Sequence, residues 1–241
     1  MSEGLSHQEL FAKAEHLRKV TNSILNLPTL PTIAAKLIEV VDNPRTSAKM
    51  LGELISEDQV LTAKLLKMCN SAYYGLKHEV TTVNMAIVIL GFEAVKEVTL
   101  SVSVLNYFKR AKAQTSFDLS NFWEHSASVG LASKIIAQRM FPSGANEAFL
   151  GGLLHDLGKV VLVQYMPKDF DAILDSAQEC GAPLFEQEQK FFGVHHGVIG
   201  FWLSKKWKLP DAVSQIMRHH HHPWHAPLHK ELVASVYLAN I

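Results

Sequence analysis

The stretch LLHDLGK, residues 153–159, places three chemically active side chains at the end of an apolar run. His155 and Asp156 are neighbours, and adjacent helical positions differ by about 100°, so both can reach one or two cations in front of that helix. Lys159 follows one turn later, on the same face. The preceding AFLGGLL is wholly apolar, and charges buried against such a segment require partners or metals. Imidazole with carboxylate suits iron, nickel, zinc, copper or manganese. Such ions lower the pKa of a bound water, and Lys159 adds a point charge beside them. Two plainer readings stand beside these: a buried, hydrogen-bonded His–Asp pair, and a helix lysine in an i,i+4 contact.

Other imidazoles occur in matching contexts. His125 follows FWE on an amphipathic stretch, with Asn121 one turn earlier on the same face; packing beside Trp123 as a core histidine is the alternative. His195 and His196, in GVHHGVIG, open a helix whose glycines permit close approach, and they compete for one role. His219 and His220 end the helix read from LPDAVSQIM, where a cationic ring would also suit the helix dipole. They begin a run of four histidines inside the chain. A purification tag is normally longer and terminal, and a His-rich tract is a compositional pointer to metal. His221, His222, His225 and His229 are assigned to a solvated loop. Trp123, Phe191, Phe192, Trp202 and Trp207 recur at helical spacing and read as core rather than a base-stacking platform, and Tyr73 and Tyr74 read as turn packing.

The elements that must position these side chains read as helices almost throughout. PTIAAKLIEVVDNP puts Ile33, Leu37, Val40 and Val41 on one stripe; TSAKMLGELISED offers Met50, Leu51, Leu54 and Ile55, with Ser47 or Thr46 as N-cap. QVLTAKLLKMCNSAYYG repeats the pattern up to Gly75. After the break at Gly91, VTLSVSVL is rich in β-branched residues, yet Glu93, Lys96 and Glu97 leave one polar face, so helix is preferred over strand. KRAKAQTSFDLS, residues 109–120, is polar and turn-like and marks the internal boundary. NFWEHSASVGLASKIIAQRM, NEAFLGGLLHDLGKVVLVQYM and the segments after them continue the helical period without internal repeats. The closing LVASVYLANI ends on apolar residues without a helix-stop signal, so the natural chain is expected to run past Ile241.

The 241 residues suffice for one large or two small domains. Lys+Arg and Asp+Glu both number 23, which argues against an electrostatic nucleic-acid binder. Cys69 and Cys180 stand far apart and suggest reduced thiols rather than a disulfide framework. The N-terminus has dispersed charges and does not read as a signal peptide, and no segment approaches about 18 continuous apolar residues. A soluble cytoplasmic protein without membrane or nucleic-acid partners is expected.

The second half resembles the HD superfamily of metal-dependent phosphohydrolases, whose pattern is His … His-Asp … His … His-His … Asp. The resemblance carries ligand roles onto His125, His155, Asp156, His196, His219 and His220, with one or two divalent ions of iron, nickel, manganese or zinc; the spacing to Gly200 selects His196 over His195. More narrowly, residues 25–241 resemble the HD-related output domain, HDOD, of bacterial signal transduction. LPTLPTIAAKLIEVVDNPRTSAKMLGELISEDQVLTAKLLKMCNSAYYG, VTTVNMAIVILGFEAVKEVTL and KKWKLPDAVSQIMRHHHHP carry that likeness. It implies an all-α fold, with an N-terminal helical bundle over residues 1–110 packed on an HD-like helical lobe over 118–241. Most members of that family have lost the HD residues and are regarded as regulatory; this chain keeps most of them. It departs from the catalytic pattern at Asn240, where the closing Asp would fall, and at Asn121, where cyclic-di-GMP-cleaving relatives carry Glu. HHPWHAPLH also stands in place of a DG.GYP motif, which together argues against cyclic-di-GMP phosphodiesterase activity. The expectation is a cytoplasmic bacterial signalling module with a retained transition-metal site and a protein partner such as a kinase, receiver or cyclase. The alternative is a metal-dependent phosphohydrolase acting on a nucleotide or other phosphoester, with Asp156 and Lys159 in the catalytic roles.

Overall fold

The computed structural model describes residues 46–71, 75–92 and 115–241, together with positions 18, 22, 35, 36, 40, 94, 95, 98, 99 and 101–103. Among them are eleven α-helices and no strand, the all-α class expected. None of these helices is long and apolar enough to cross a membrane. Two compact units form, one within residues 29–110 and one within 111–241. Most of the helix read over residues 31–44, Tyr73 and Tyr74, the charges Glu93, Lys96 and Glu97, and residues 109–114 of the polar boundary lie outside the described residues.

In the first unit, α1 (Ala48–Ser56), α2 (Gln59–Cys69) and α3 (Val83–Leu90) each begin at a short polar side chain. Ser47, Asp58 and Thr82 accept the backbone N–H of Met50, Leu61 and Met85, satisfying donors that a helix start leaves unpaired. Leu51, Ile55, Leu61, Leu65, Val83 and Ala86 form the core. Within VTLSVSVL, residues 98, 99 and 101–103 are helical. The buried hydroxyls of Thr99 and Ser103 donate one turn back, to Val95 O at 2.6 Å and Thr99 O at 2.8 Å. Satisfied locally, they need no strand partner, so helical burial overrides β-propensity.

The second unit contains α4 (Leu119–Met140), α5 (Ala145–Leu154), α6 (Leu157–Tyr165), α7 (Pro167–Cys180), α8 (Leu184–Phe192), α9 (His196–Lys206), α10 (Asp211–His219) and α11 (Lys230–Ala239). Val129, Ala148, Ile216, Val233 and Val236 knit α4, α5, α10 and α11 into one core. Asp171 on α7 accepts Thr115 Oγ1 at 2.5 Å, Ser116 N–H at 3.0 Å and Ser116 Oγ at 2.8 Å, tying the segment before α4 onto α7. NEAFLGGLLHDLGKVVLVQYM, read above as one helical segment, is two helices joined at His155–Asp156. Asp156 (φ −96°, ψ 6°) leaves the helical path, and α6 starts anew behind it.

Two helix pairs approach at glycine. A Cβ on Gly152 of α5 would lie 2.8 Å from Gly130 Cα of α4. One on Gly158 of α6 would overlap the His196 carbonyl oxygen, 2.8 Å from His196 C and 3.0 Å from Gly200 N. The second contact seats the start of α9 directly against the start of α6, which brings His196 beside Asp156. Gly158→Ala is expected to lower the unfolding free energy by about 3 kcal/mol or more in urea titration, because backbone, unlike a side chain, cannot rotate aside. Gly181→Ala, at a left-handed turn (φ 59°) with open space around it, is expected to cost only about 1 kcal/mol.

Candidate metal centre

The last carbonyls of a helix have no intrahelical donor. At the end of α5, His155 Nδ1 lies 2.6 Å from Gly152 O; at the end of α10, His220 Nδ1 lies 2.9 Å from Met217 O. A carbonyl can only accept, so both rings carry their proton on Nδ1 and present the Nε2 lone pair. His195 and His196 divide their tasks at the start of α9. His195 is the N-cap, its Nδ1 accepting the Gly197 N–H at 3.1 Å, while His196 is buried. One oxygen of Glu188, Oε2, accepts both the His196 backbone N–H (2.7 Å) and its Nδ1–H (2.6 Å). That carboxylate sits at the positive end of α9 and fixes a third ring with Nε2 bare, the arrangement that orients metal-bound histidines.

These lone pairs converge on Asp156. Its Oδ1 lies 3.0 Å from His196 Nε2 and 3.4 Å from His220 Nε2. The two nitrogens are 3.3 Å apart, and His221 Nε2 stands 2.8 Å from that of His196. Asp156, His196 and His220 are at most 1% exposed, so they meet away from bulk solvent. Lone pairs facing one another repel, and Asp156 Oδ1 makes no hydrogen bond despite its burial. A cation among the four groups, which lie within 4.8 Å of one another, resolves both. The residues therefore fit a divalent metal.

A second group, His125, His155 and Asp156, gathers on the other carboxylate oxygen. Oδ2 is 3.3 Å from His155 Nε2, 4.0 Å from His125 Nε2 and 2.5 Å from Lys159 Nζ. His155 Nε2 is buried without a hydrogen bond. The His125 side chain is 46% exposed, so this side opens to solvent, and its ring hydrogen-bonds the Asn240 side chain. Asn121 is exposed in the first turn of α4, its backbone N–H bonded to Asp118 Oδ1 at 3.1 Å.

Ligand chemistry needs ionised carboxylate and neutral imidazole, which the electrostatics favour at Asp156, His220 and His221, whereas His196 must shed a proton to bind a metal. Burial raises the pKa of Asp156, but His155, Lys159 and His196 outweigh it and hold the carboxyl well below its usual range. Burial pushes His220 down to about 3 and His195 to about 4. Burial, with His220 and His196 beside it, also lowers His221. His196 is raised: burial lowers it, but the Glu188 and Asp156 carboxylates prevail.

Thus His125, His155, Asp156, Lys159, His196 and His220 come together. His219 belongs to neither group; it is half-buried at the last position of α10, its carbonyl accepting the His222 N–H at 2.8 Å. His221, read as a solvated-loop residue, takes part in the first group. The helix ends at His219, so it is the turn after it, His220 and His221, that faces Asp156. His225 and His229 are exposed, as a loop reading expects. Glu188 was not among the sequence candidates. Its signal lies in PLFEQEQKFFG, where it shares the stripe of Phe185 and Phe192, and a carboxylate on a buried stripe demands a partner.

The HDOD domain family matches residues 27–223. An HDOD domain protein of unknown function from Geobacter sulfurreducens superposes with TM-score 0.83 at 25% identity, covering 96% of this chain and 77% of that one. A candidate phosphohydrolase from Shewanella amazonensis superposes with TM-score 0.79 at 28% identity, over 92% of this chain and 78% of its own. An uncharacterized Treponema pallidum protein is 26% identical across 92% of this chain, which spans 43% of that protein's length.

The buried imidazoles make metal-free stability pH-dependent. The unfolded chain protonates His195 and His220 below about pH 6.5, whereas the folded chain does so only near 4 and 3. Their contribution is complete above the unfolded value and is lost as pH falls through that window. His196, raised, acts oppositely: its contribution is present below the unfolded value and fades as pH rises through the folded one. Asp156, lowered from 3.8, loses its contribution only under more acid conditions. Lowered histidines outnumber the raised one, so the unfolding free energy measured in chelator is expected to fall between about pH 7 and about pH 5. His220→Asn should flatten that slope.

Proposed function

This chain belongs to the HDOD domain family, and from that premise we propose that it is a regulatory module of bacterial, cytoplasmic signal transduction. Its retained HD-type residues hold a divalent metal as a tie between helices. The single observation that carries this reading is the closed donor set of Asp156, His196, His220 and His221, four protein groups converging on one point. Structural metal sites are closed by four protein ligands, whereas catalytic sites keep a position for water or substrate. Imidazole and carboxylate donors suit iron, nickel, manganese or zinc. Bound there, the ion supplies positive charge that fastens the His220–His221 turn to the starts of α6 and α9.

Within this function, Asp156 joins the ends of α5 and α6 to the ion, Glu188 holds His196 in its ligand tautomer, and Phe185 stacks on His221 at 4.2 Å between ring centroids. The helical unit within residues 29–110 is assigned the partner surface, for a kinase, receiver or cyclase. Charge balance disfavours nucleic acid as that partner.

One observation favours a second reading, metal-dependent hydrolysis of a nucleotide or other phosphoester. The His125 side of Asp156 opens to solvent beside the Lys159 ammonium, where a phosphate could be received. Asn240 and Asn121 weigh against it, since neither supplies the carboxylate charge that cation-activated water requires.

Untagged protein, purified without metal resin, is expected to carry metal that is lost in Asp156→Ala. Returning metal at about 100 times its Kd should add about 2.7 kcal/mol to the unfolding free energy. A panel of nucleotides and other phosphoesters should show no turnover above that of Asp156→Ala. Turnover abolished by that substitution would place the hydrolase reading first, and metal-free wild-type protein would remove the tie.

A further inference from the structure

Four histidines run consecutively from His219 to His222, and two of them, His220 and His221, face Asp156. The others belong to a different row. The His222 N–H donates to His219 O at 2.8 Å, and the His225 N–H to His222 O at 3.0 Å, so the chain past α10 continues in successive three-residue turns. At that spacing side chains three apart eclipse one another, which puts His219, His222 and His225 on one side of the stretch. We propose that these three form a second transition-metal site, separate from the Asp156 centre, on the outer face of the turn whose inner face supplies His220 and His221. The site lies beyond the metal reading above and stands without it.

Three observations converge on it. The His222 and His225 ring centroids are 5.7 Å apart. Two imidazoles on one ion, each bonded at about 2.0–2.1 Å, place their centroids about 5–6 Å apart. Next, His222 Nδ1 is buried and makes no hydrogen bond, so it lacks the partner that a buried ring nitrogen requires. Finally, His219 has the other two as its electrostatic neighbours: the charges that act on it are those of Arg218, His225 and His222. The three donors stand further apart than those gathered on Asp156, and the exposed His225 ring is free to turn and close the set on an ion. Imidazoles without a carboxylate suit zinc, copper or nickel, whereas manganese and magnesium prefer oxygen donors. Three protein donors leave the fourth position to water, so the site is open and fills on titration rather than keeping its ion through purification. One stretch of backbone carries both rows, and an outer ion thereby also restrains the turn from which His220 and His221 reach Asp156.

Zn²⁺ titration of the metal-free full chain, followed by calorimetry and native mass spectrometry, tests this. Wild-type protein should bind one Zn²⁺ per chain more than the His222→Asn/His225→Asn double variant. His219→Asn and each of the other single variants should weaken that ion by no less than the roughly tenfold that loss of an outer-shell partner costs a metal site. His229→Asn, on the same loop but off the row, should bind as wild type does. Mn²⁺ should show the same stoichiometry in wild-type protein and the double variant. Cu²⁺ held by this row should quench Trp224, whose ring lies 5.3 Å from that of His222 and 5.9 Å from that of His225, and the quenching should vanish in the double variant. Asp156→Asn should keep the outer ion; circular dichroism checks that each variant is folded. Equal Zn²⁺ stoichiometry in wild-type protein and the folded double variant, an equal loss in His229→Asn, or departure of the outer ion from folded Asp156→Asn would each overturn the proposal. Failure of the metal reading looks different: an Asp156 centre that takes no ion, beside a His222–His225 row that does, would end that reading and leave this one standing.

Discussion

A carboxylate that is 1% exposed organises the second helical unit. Burying an ionised group alone costs several kcal/mol, so Asp156 persists only because positive charge and imidazoles are brought to it from α4, α6, α9 and the end of α10. Three of these elements reach the carboxylate by different devices: a ring anchored on a helix-terminal carbonyl after α10, a ring held by a second carboxylate on α9, and a lysine one turn away on α6. Removing the charge would leave those groups facing one another with nothing between them.

Helix ends, rather than helix faces, do most of the positioning. His155 and His220 each return Nδ1–H to the carbonyl three residues back, so unsatisfied backbone is used to set a tautomer. His196 begins a helix and lends its first amide to the carboxylate that grips its ring. The glycine contact between α6 and α9 supplies the short distance these side chains need. Backbone accounting and metal-ligand chemistry thus coincide, which explains how so polar a cluster sits in an otherwise apolar lobe.

The sequence made the all-α class legible because the apolar period is helical nearly everywhere, and even VTLSVSVL yields to helix once its hydroxyls bond one turn back. The His155–Asp156 pair was legible because polarity interrupts an apolar run abruptly. Less was visible where the decision lies in a turn. Whether His219 or His221 accompanies His220 depends on the residue at which α10 stops, and composition alone does not set helix ends that finely. The break at Asp156 was hidden for the same reason, since apolar periodicity continues across it. Glu188 was overlooked because one acidic residue in a charged helix looks ordinary; only its alignment with Phe185 and Phe192 betrays burial.

The stacking of Phe185 on His221, with planes 18° apart, bears on how fast an ion could come and go. His196 and His220 are held by hydrogen bonds to fixed acceptors, and Asp156 by the junction of two helices. His221 has a flat aromatic neighbour, which permits sliding and tilting that a directional bond forbids. It is also the one member of its group that is not fully buried. For an ion held by these four groups, three donors would be fixed in place by directional bonds and the fourth would be free to tilt away, so that grip and release would fall to different residues.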